Sequence, residues 1–234
     1  MIKTHKYLKD NWFVFNNIDT LSKYVARDIV RVADSSIKKR GKFIIVLAGG
    51  GSFSKVYKVL SNLKSDWEKW HVFIGDERCL MPEDFNRNDY LINKVWLKNS
   101  LIPKRNIQFM HPELGVESCA LQYEKLIDSI DRFDLVLLGM GEDGHTASLF
   151  PGHTHSLNKK VIVETNAPKL PTDMVSLSYN ALNNSLNVFK VIRGPDKGRA
   201  VDLWINGLDL PIGRVHGDVE KVYLCKDVLP ASSL

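Results

Sequence analysis

Apolar residues fall into two rhythms along this chain. Ile18, Leu21, Val25, Ile29 and Val32 recur at three- and four-residue steps, which predicts an amphipathic helix with Asp19 or Thr20 near its cap. Gly41 closes that region. Phe43 to Leu47 is instead a short unbroken apolar run, the pattern of a central parallel strand. A helix over 53–63 and a second apolar run at 71–74 follow. Further helices are expected around Tyr90, Leu91, Val95 and Trp96 and over 117–130, with strands at 133–138, 161–163, 174–178, 188–192 and 222–224. Pro195 suits the first turn of a helix that continues through Asp196, Lys197, Ala200 and Leu203. The alternation of the two rhythms predicts an α/β fold, with a mostly parallel sheet and helices on both faces.

With 234 residues, no internal repeat and no long linker, the chain reads as a single domain spanning 1–234. It is 44% hydrophobic and 25% charged, as an ordinary globular chain is. The net charge of +5 favours small anionic ligands. Lys38-Lys39-Arg40 is the densest basic cluster and reads as a solvated helix end, not a nucleic-acid site. Cys79, Cys119 and Cys225 form no CxxC pair, which suits a reducing compartment. No apolar leader stands at Met1–Lys6, and no run reaches the ~20 residues of a membrane span. A cytoplasmic protein without a membrane partner is the expectation.

Candidate chemistry gathers where three predicted strands end. Gly49-Gly50-Gly51-Ser52 precedes a helix, so backbone N–H groups at the helix start are able to hold an anion; a plain tight turn is the alternative. Gly75-Asp76-Glu77-Arg78 reads as a turn that places three charges after an apolar strand, either as a site or as an internal ion pair of Arg78. Leu138-Gly139-Met140-Gly141-Glu142-Asp143-Gly144-His145 brings a carboxylate and an imidazole to a strand end together, though Asp-Gly is also a common turn pair. Ligands of open α/β sheets bind at such carboxyl ends. There is no GxSxG elbow, no HExxH and no dinucleotide fingerprint, so the expected chemistry is His-assisted proton transfer on a small anion, with no metal and no cofactor.

In order and spacing these segments resemble the 6-phosphogluconolactonase branch of the family shared with glucosamine-6-phosphate isomerase/deaminase. The stretch from Gly139 to Gly152, the GDER segment, Arg87-Asn88, Gly194-Pro195-Asp196-Lys197 and Leu210-Pro211-Ile212 carry the resemblance. It implies a Rossmann-like, NagB-type fold and hydrolysis of 6-phospho-D-glucono-1,5-lactone without a cofactor. By position, His145 would be the base, Asp143 its support, and Arg78 the ligand of a substrate anion or oxyanion. Gly49, Gly50, Gly51, Ser52, Asp76, Glu77, Gly144 and Lys197 would line the substrate.

Phe53 replaces a family Pro after the Gly-rich turn, which implies a looser loop, and Arg193 stands where a small or neutral residue is expected. The isomerase/deaminase branch usually continues past DGH with a further carboxylate; here Thr146 to Pro151 contains none, which favours the lactonase. A non-catalytic sugar-phosphate sensor is the remaining alternative. His153 and His155 read as loop residues.

Overall fold

Five apolar runs become strands that are buried on both faces because helices cover each side. A computed structural model describes residues 8–229; the stretch Met1–Lys6, where no apolar leader is read, lies outside them. In chain order the elements are β1 (Trp12–Phe15), α1 (Ile18–Arg40), β2 (Phe43–Leu47), α2 (Gly51–Leu60), β3 (Trp70–Ile74), β4 (Asp76–Arg78), α3 (Asn88–Val95), β5 (Ile107–Gln108), α4 (Val116–Asp128) and β6 (Leu135–Leu138). They continue with β7 (Val161–Glu164), β8 (Met174–Leu177), α5 (Tyr179–Asn183), β9 (Asn187–Ile192), α6 (Gly198–Ile205), α7 (Pro211–Arg214) and β10 (Val219–Cys225).

Seven strands form one wholly parallel sheet in the order β1-β10-β9-β6-β2-β3-β5. Alternate residues of one strand serve opposite cores. Ile44, Val46, Val136 and Leu138 face α4, α5, α6 and a second sheet. Phe43, Ile45, Leu47, Leu135 and Leu137 face α1, α2 and α3. Each such side chain taken from water contributes roughly 1.5–3 kcal/mol.

From β2 the chain winds outward through β3 to β5; from β6 it winds the other way through β9 to β10. The order therefore reverses between β2 and β6, and a crevice opens at their carboxyl ends. The Gly-rich segment leaves β2 there and the DGH segment leaves β6.

Several expectations are corrected by packing. Asn17, not Asp19 or Thr20, caps α1: its side chain accepts from Thr20 N at 3.0 Å. Helix α2 begins two residues earlier than its apolar pattern suggests and ends at Leu60. Pro195 opens a 3-10 turn that runs into α6. The edge strands β1 and β5 were not predicted, being short and partly exposed. The largest correction concerns the GDER segment. It is not a turn: Asp76–Arg78 is β4, paired antiparallel to β8, which pairs with β7 in a separate three-stranded sheet. Lys38, Lys39 and Arg40 do form an exposed helix end, and Arg40 reaches Asp134. The three cysteines are free thiols, and no helix of the described residues is long and apolar enough to cross a membrane.

Candidate active site

Strand β6 delivers the chain to the crevice, and glycines then fold it back. Gly141 N donates to His145 O (2.8 Å) and Gly144 N to Gly141 O (3.1 Å). Gly144 has φ +87°, a conformation L side chains rarely adopt, and a Cβ there would meet Leu210 at 2.7 Å. It is buried, so it shapes the turn and does not present itself to a ligand. Gly141 is required for another reason: a Cβ on it would lie 2.1 Å from the His145 ring, so this glycine is the floor on which the imidazole rests.

Asp143 Oδ1 accepts from His145 Nδ1 at 2.6 Å and from His145 N at 3.0 Å. Burial pushes the Asp143 carboxyl up, but the hydrogen bonds and charge of His145 outweigh it and hold the group at about 2. An ionised carboxylate only accepts, so the proton of the neutral ring sits on Nδ1 and Nε2 keeps its lone pair. The ring stays 31% exposed, with Phe150 packed beside it at 4.7 Å between centroids.

The rest of the loop is clamped. Thr146 Oγ1 donates to Gly139 O (2.8 Å), and Thr146 and Leu149 exchange backbone hydrogen bonds around Ala147, which takes φ +47°. A non-glycine residue in that region costs of order 1 kcal/mol and marks a conformation imposed by its surroundings. Buried Ser148 completes the clamp: its hydroxyl donates to Asp76 Oδ2 at 3.1 Å.

Strand β4 turns its charges to different tasks. Asp76 and Glu77, both expected to line the substrate, are largely spent on the protein. Asp76 receives Ser148 and also Asn88 Nδ2 (3.2 Å). Glu77 is 0% exposed and accepts from Arg78 N, Asn88 N and Asp89 N at 2.8–2.9 Å, which makes it the cap of α3. Burial, with the Asp89 carboxylate beside it, raises the Glu77 carboxyl above the usual range against these donors. A ligand would find no free face on it. The adjacent Arg87 is wholly structural: its fork holds both oxygens of Asp89 (2.9 and 2.7 Å), and Nη1 holds Glu113 (2.7 Å).

Arg78 differs. Its Nη1 donates to Asn86 O, its Nε is buried without a partner, and among the described residues no carboxylate lies within salt-bridge range. The ion-pair reading of Arg78 is therefore not what the structure shows. On the β2 side, Gly49 is needed for close packing: a Cβ there would lie 1.7 Å from Asn88 Oδ1. Gly50 has φ +82° and stands at the N-cap of α2, whose start carries no side-chain cap and no acidic residue. Gly51 is exposed and Ser52 partly so. Phe53 is fully buried and stacks on Tyr57 at 5.6 Å, so packing anchors the helix start in place of the expected Pro. Lys197 is paired with Asp196 at 2.7 Å. Among the described residues no group of three His, Cys, Asp or Glu side chains is arranged to hold a metal ion.

A family model described as glucosamine-6-phosphate isomerases/6-phosphogluconolactonase matches residues 16–224. The chain belongs to this family. The 6-phosphogluconolactonase of Thermotoga maritima is 32% identical over 95% of this chain and 98% of its own. A probable 6-phosphogluconolactonase of Arabidopsis thaliana is 34% identical over 85% and 81%. The crystal structure of the Thermotoga maritima protein superposes with a TM-score of 0.84, at 29% identity, covering 92% of this chain and 99% of that one. A monomeric glucosamine-6-phosphate deaminase, at 21% identity and a TM-score of 0.82, shares the fold. The NagB-type α/β architecture is thus the family's own.

Within this family fold, sequence reasoning missed three contributors. Asn88 joins the Gly-rich segment to β4, because its Nδ2 donates to Asp76 O (2.8 Å) while its Oδ1 lies under Gly49. Ser148 ties the DGH loop to the same strand. Arg193, which follows β9, reaches Gly51 O with Nη2 at 3.0 Å. The signals for Arg193 were its position one residue past an apolar run and its standing where a small or neutral residue is expected. His153 and His155 lie in the loop between β6 and β7, as expected, and both face the buried Glu164 carboxylate, at 2.8 and 3.5 Å.

Proposed function

We propose that the chain hydrolyses 6-phospho-D-glucono-1,5-lactone to 6-phospho-D-gluconate, the second step of the oxidative pentose phosphate pathway. The observation that carries this reading is the Asp143–His145 pair, 2.6 Å apart, with the imidazole lone pair left free at the switch point of the sheet. Its relatives in Thermotoga maritima and Arabidopsis thaliana, matched over 98% and 81% of their lengths, carry the lactonase name.

In the proposed reaction Nε2 of His145 takes a proton from water as the water oxygen bonds to the lactone carbonyl carbon. The carbonyl oxygen becomes an oxyanion. Collapse of the tetrahedral intermediate breaks the bond to the ring oxygen, and the imidazolium returns the proton to that oxygen. Asp143 keeps the ring in the Nδ1–H tautomer and stabilises the imidazolium, the role of the carboxylate in a catalytic triad. Arg78 offers unpaired donors to the oxyanion or to another substrate oxygen; one such preorganised donor is typically worth about 3–4 kcal/mol of barrier. The N–H groups at the start of α2, Ser52 and Lys197 form the phosphate end. The reaction neither oxidises nor reduces the sugar, so its balance calls for no redox cofactor.

No side chain from Thr146 to Pro151 is a carboxylate, and Phe150 lies against His145, so this segment supplies no further acid for the proton shuttling of an isomerase/deaminase. The test is acid release from freshly generated 6-phosphogluconolactone, with a chelator present and the spontaneous rate subtracted. Strong acceleration is expected. A folded protein that gives none, but turns over glucosamine-6-phosphate, would overturn the lactonase reading.

A further inference from the structure

Among the described arginines drawn away from the surface, Arg87 and Arg132 are matched by carboxylates. Arg78 and Arg193 are not. Arg193 stands at the carboxyl end of β9, beside β6 in the sheet, and its side chain reaches the start of α2 beyond β2. One of its five donors is used on Gly51 O. Its Nε is buried and has no partner, and a buried donor left so is destabilising. The nearby Asp196 feels the charge of Arg193 but takes Lys197 as its ion-pair partner.

The place that Arg193 touches is an open helix start, as are those of α6 and α7. The starts of α1 and α3 are filled by the side chains of Asn17 and Glu77. The start of α2 has neither cap nor acid, and a Cβ on Gly51 would come within 3.1 Å of Arg193 Nη2. A cationic fork with spare donors and an uncapped run of N–H groups thus converge on one spot at the rim of the crevice. An oxyanion with several acceptor oxygens matches both, and a guanidinium fork suits phosphate in particular.

We propose that Arg193 binds the phosphate of the substrate and sets the preference of this enzyme for phosphorylated over unphosphorylated lactones. The proposal rests on the lactonase reading and deepens it. It moves the main phosphate charge from Lys197, already answered by Asp196, to a residue that sequence reasoning treated as out of place.

The experiment compares Arg193→Gln and Arg193→Lys with the parent protein on 6-phosphogluconolactone and on unphosphorylated glucono-1,5-lactone. Glutamine keeps a donor for Gly51 O and removes the charge. Circular dichroism checks the fold, and calorimetric titration with inorganic phosphate is run on all three proteins. In Arg193→Gln, kcat/KM on the phosphorylated lactone is expected to fall at least tenfold, with the unphosphorylated lactone unaffected. Phosphate affinity is expected to fall at least tenfold, and lysine to restore part of both losses. Equal losses on the two lactones would make Arg193 a structural residue and overturn the proposal, as would unchanged phosphate affinity. If the parent protein hydrolyses neither lactone, the lactonase reading has failed, and the phosphate titration alone decides the role of Arg193.

Discussion

His145 depends on three neighbours, each through a different force. Asp143 sets its tautomer, Gly141 leaves room for its ring, and Phe150 packs on its side. Each can be removed separately. His145→Ala is expected to lower kcat by about 10²–10⁴-fold with an unchanged circular dichroism spectrum, because a positioned base supplies about that factor and the side chain is partly exposed. Asp143→Asn leaves shape intact but no longer holds the proton on Nδ1; a loss of about 10²-fold or more in kcat is expected. Gly141→Ala is expected to cost activity by displacing the ring. Its thermal midpoint should fall little, since the ring has solvent to move into; unchanged lactone turnover in that variant would show that ring placement is not limiting. At this scale the DGH triplet was legible because Asp and His are neighbours in sequence. Glu77 was misread because its three partners include two backbone N–H groups of a helix eleven and twelve residues on.

At the scale of elements, the segment Asp76–Asp89 works as one piece. Glu77 caps α3, Asn88 at the start of α3 binds Asp76, and Arg87 pins Asp89 and Glu113. Arg87 is fully buried, so Arg87→Ala leaves Asp89 and Glu113 without their counter-charge and is expected to destabilise the protein by about 3–5 kcal/mol. A urea-unfolding midpoint within error of the parent would refute this. Arg87→Lys should recover only part of the loss, because an ammonium does not reproduce the two-pronged bond to Asp89. The pattern of apolar residues was sufficient for β2, β3, β6 and α1, whose interiors carry the periodicity. It failed for β4, a short charged segment that is a strand only because β8 lies beside it.

For the whole molecule, stability and function are linked through ligands and protons. A ligand that binds only the folded state stabilises it by about 2.7 kcal/mol at a hundred times its Kd. 6-Phosphogluconate is therefore expected to raise the thermal midpoint in a concentration-dependent way, whereas unphosphorylated gluconate should shift it much less. Asp143 adds a pH signature. Its carboxyl is held at about 2 in the folded state, below its ordinary value. Its contribution to stability is thus present above about pH 4 and lost as pH falls through about 2. The difference in unfolding free energy between the parent and Asp143→Asn should shrink from about pH 5 to about pH 3. A constant difference would mean that the aspartate stabilises through shape alone.

By itself, the order of residues determined what local chemistry can decide. Apolar periodicity marked the central strands and the first helix, since burial on one face or both leaves a pattern in the chain. Glycines marked the turns, and the adjacency of Asp143 and His145 marked the hydrogen-bonded carboxylate–imidazole pair. Only the tertiary structure decided which charges remain free. Glu77, Arg87 and Lys197 look as available in sequence as Arg78 and Arg193 do, yet the first three are answered by partners, whereas the last two form no ion pair with the described residues and keep an unpartnered Nε. A charge is neutralised by whatever the fold brings within a few ångströms, and in a parallel sheet those neighbours come from strands far apart in the chain: Arg193 and Gly51, which meet at the rim of the crevice, are 142 residues apart.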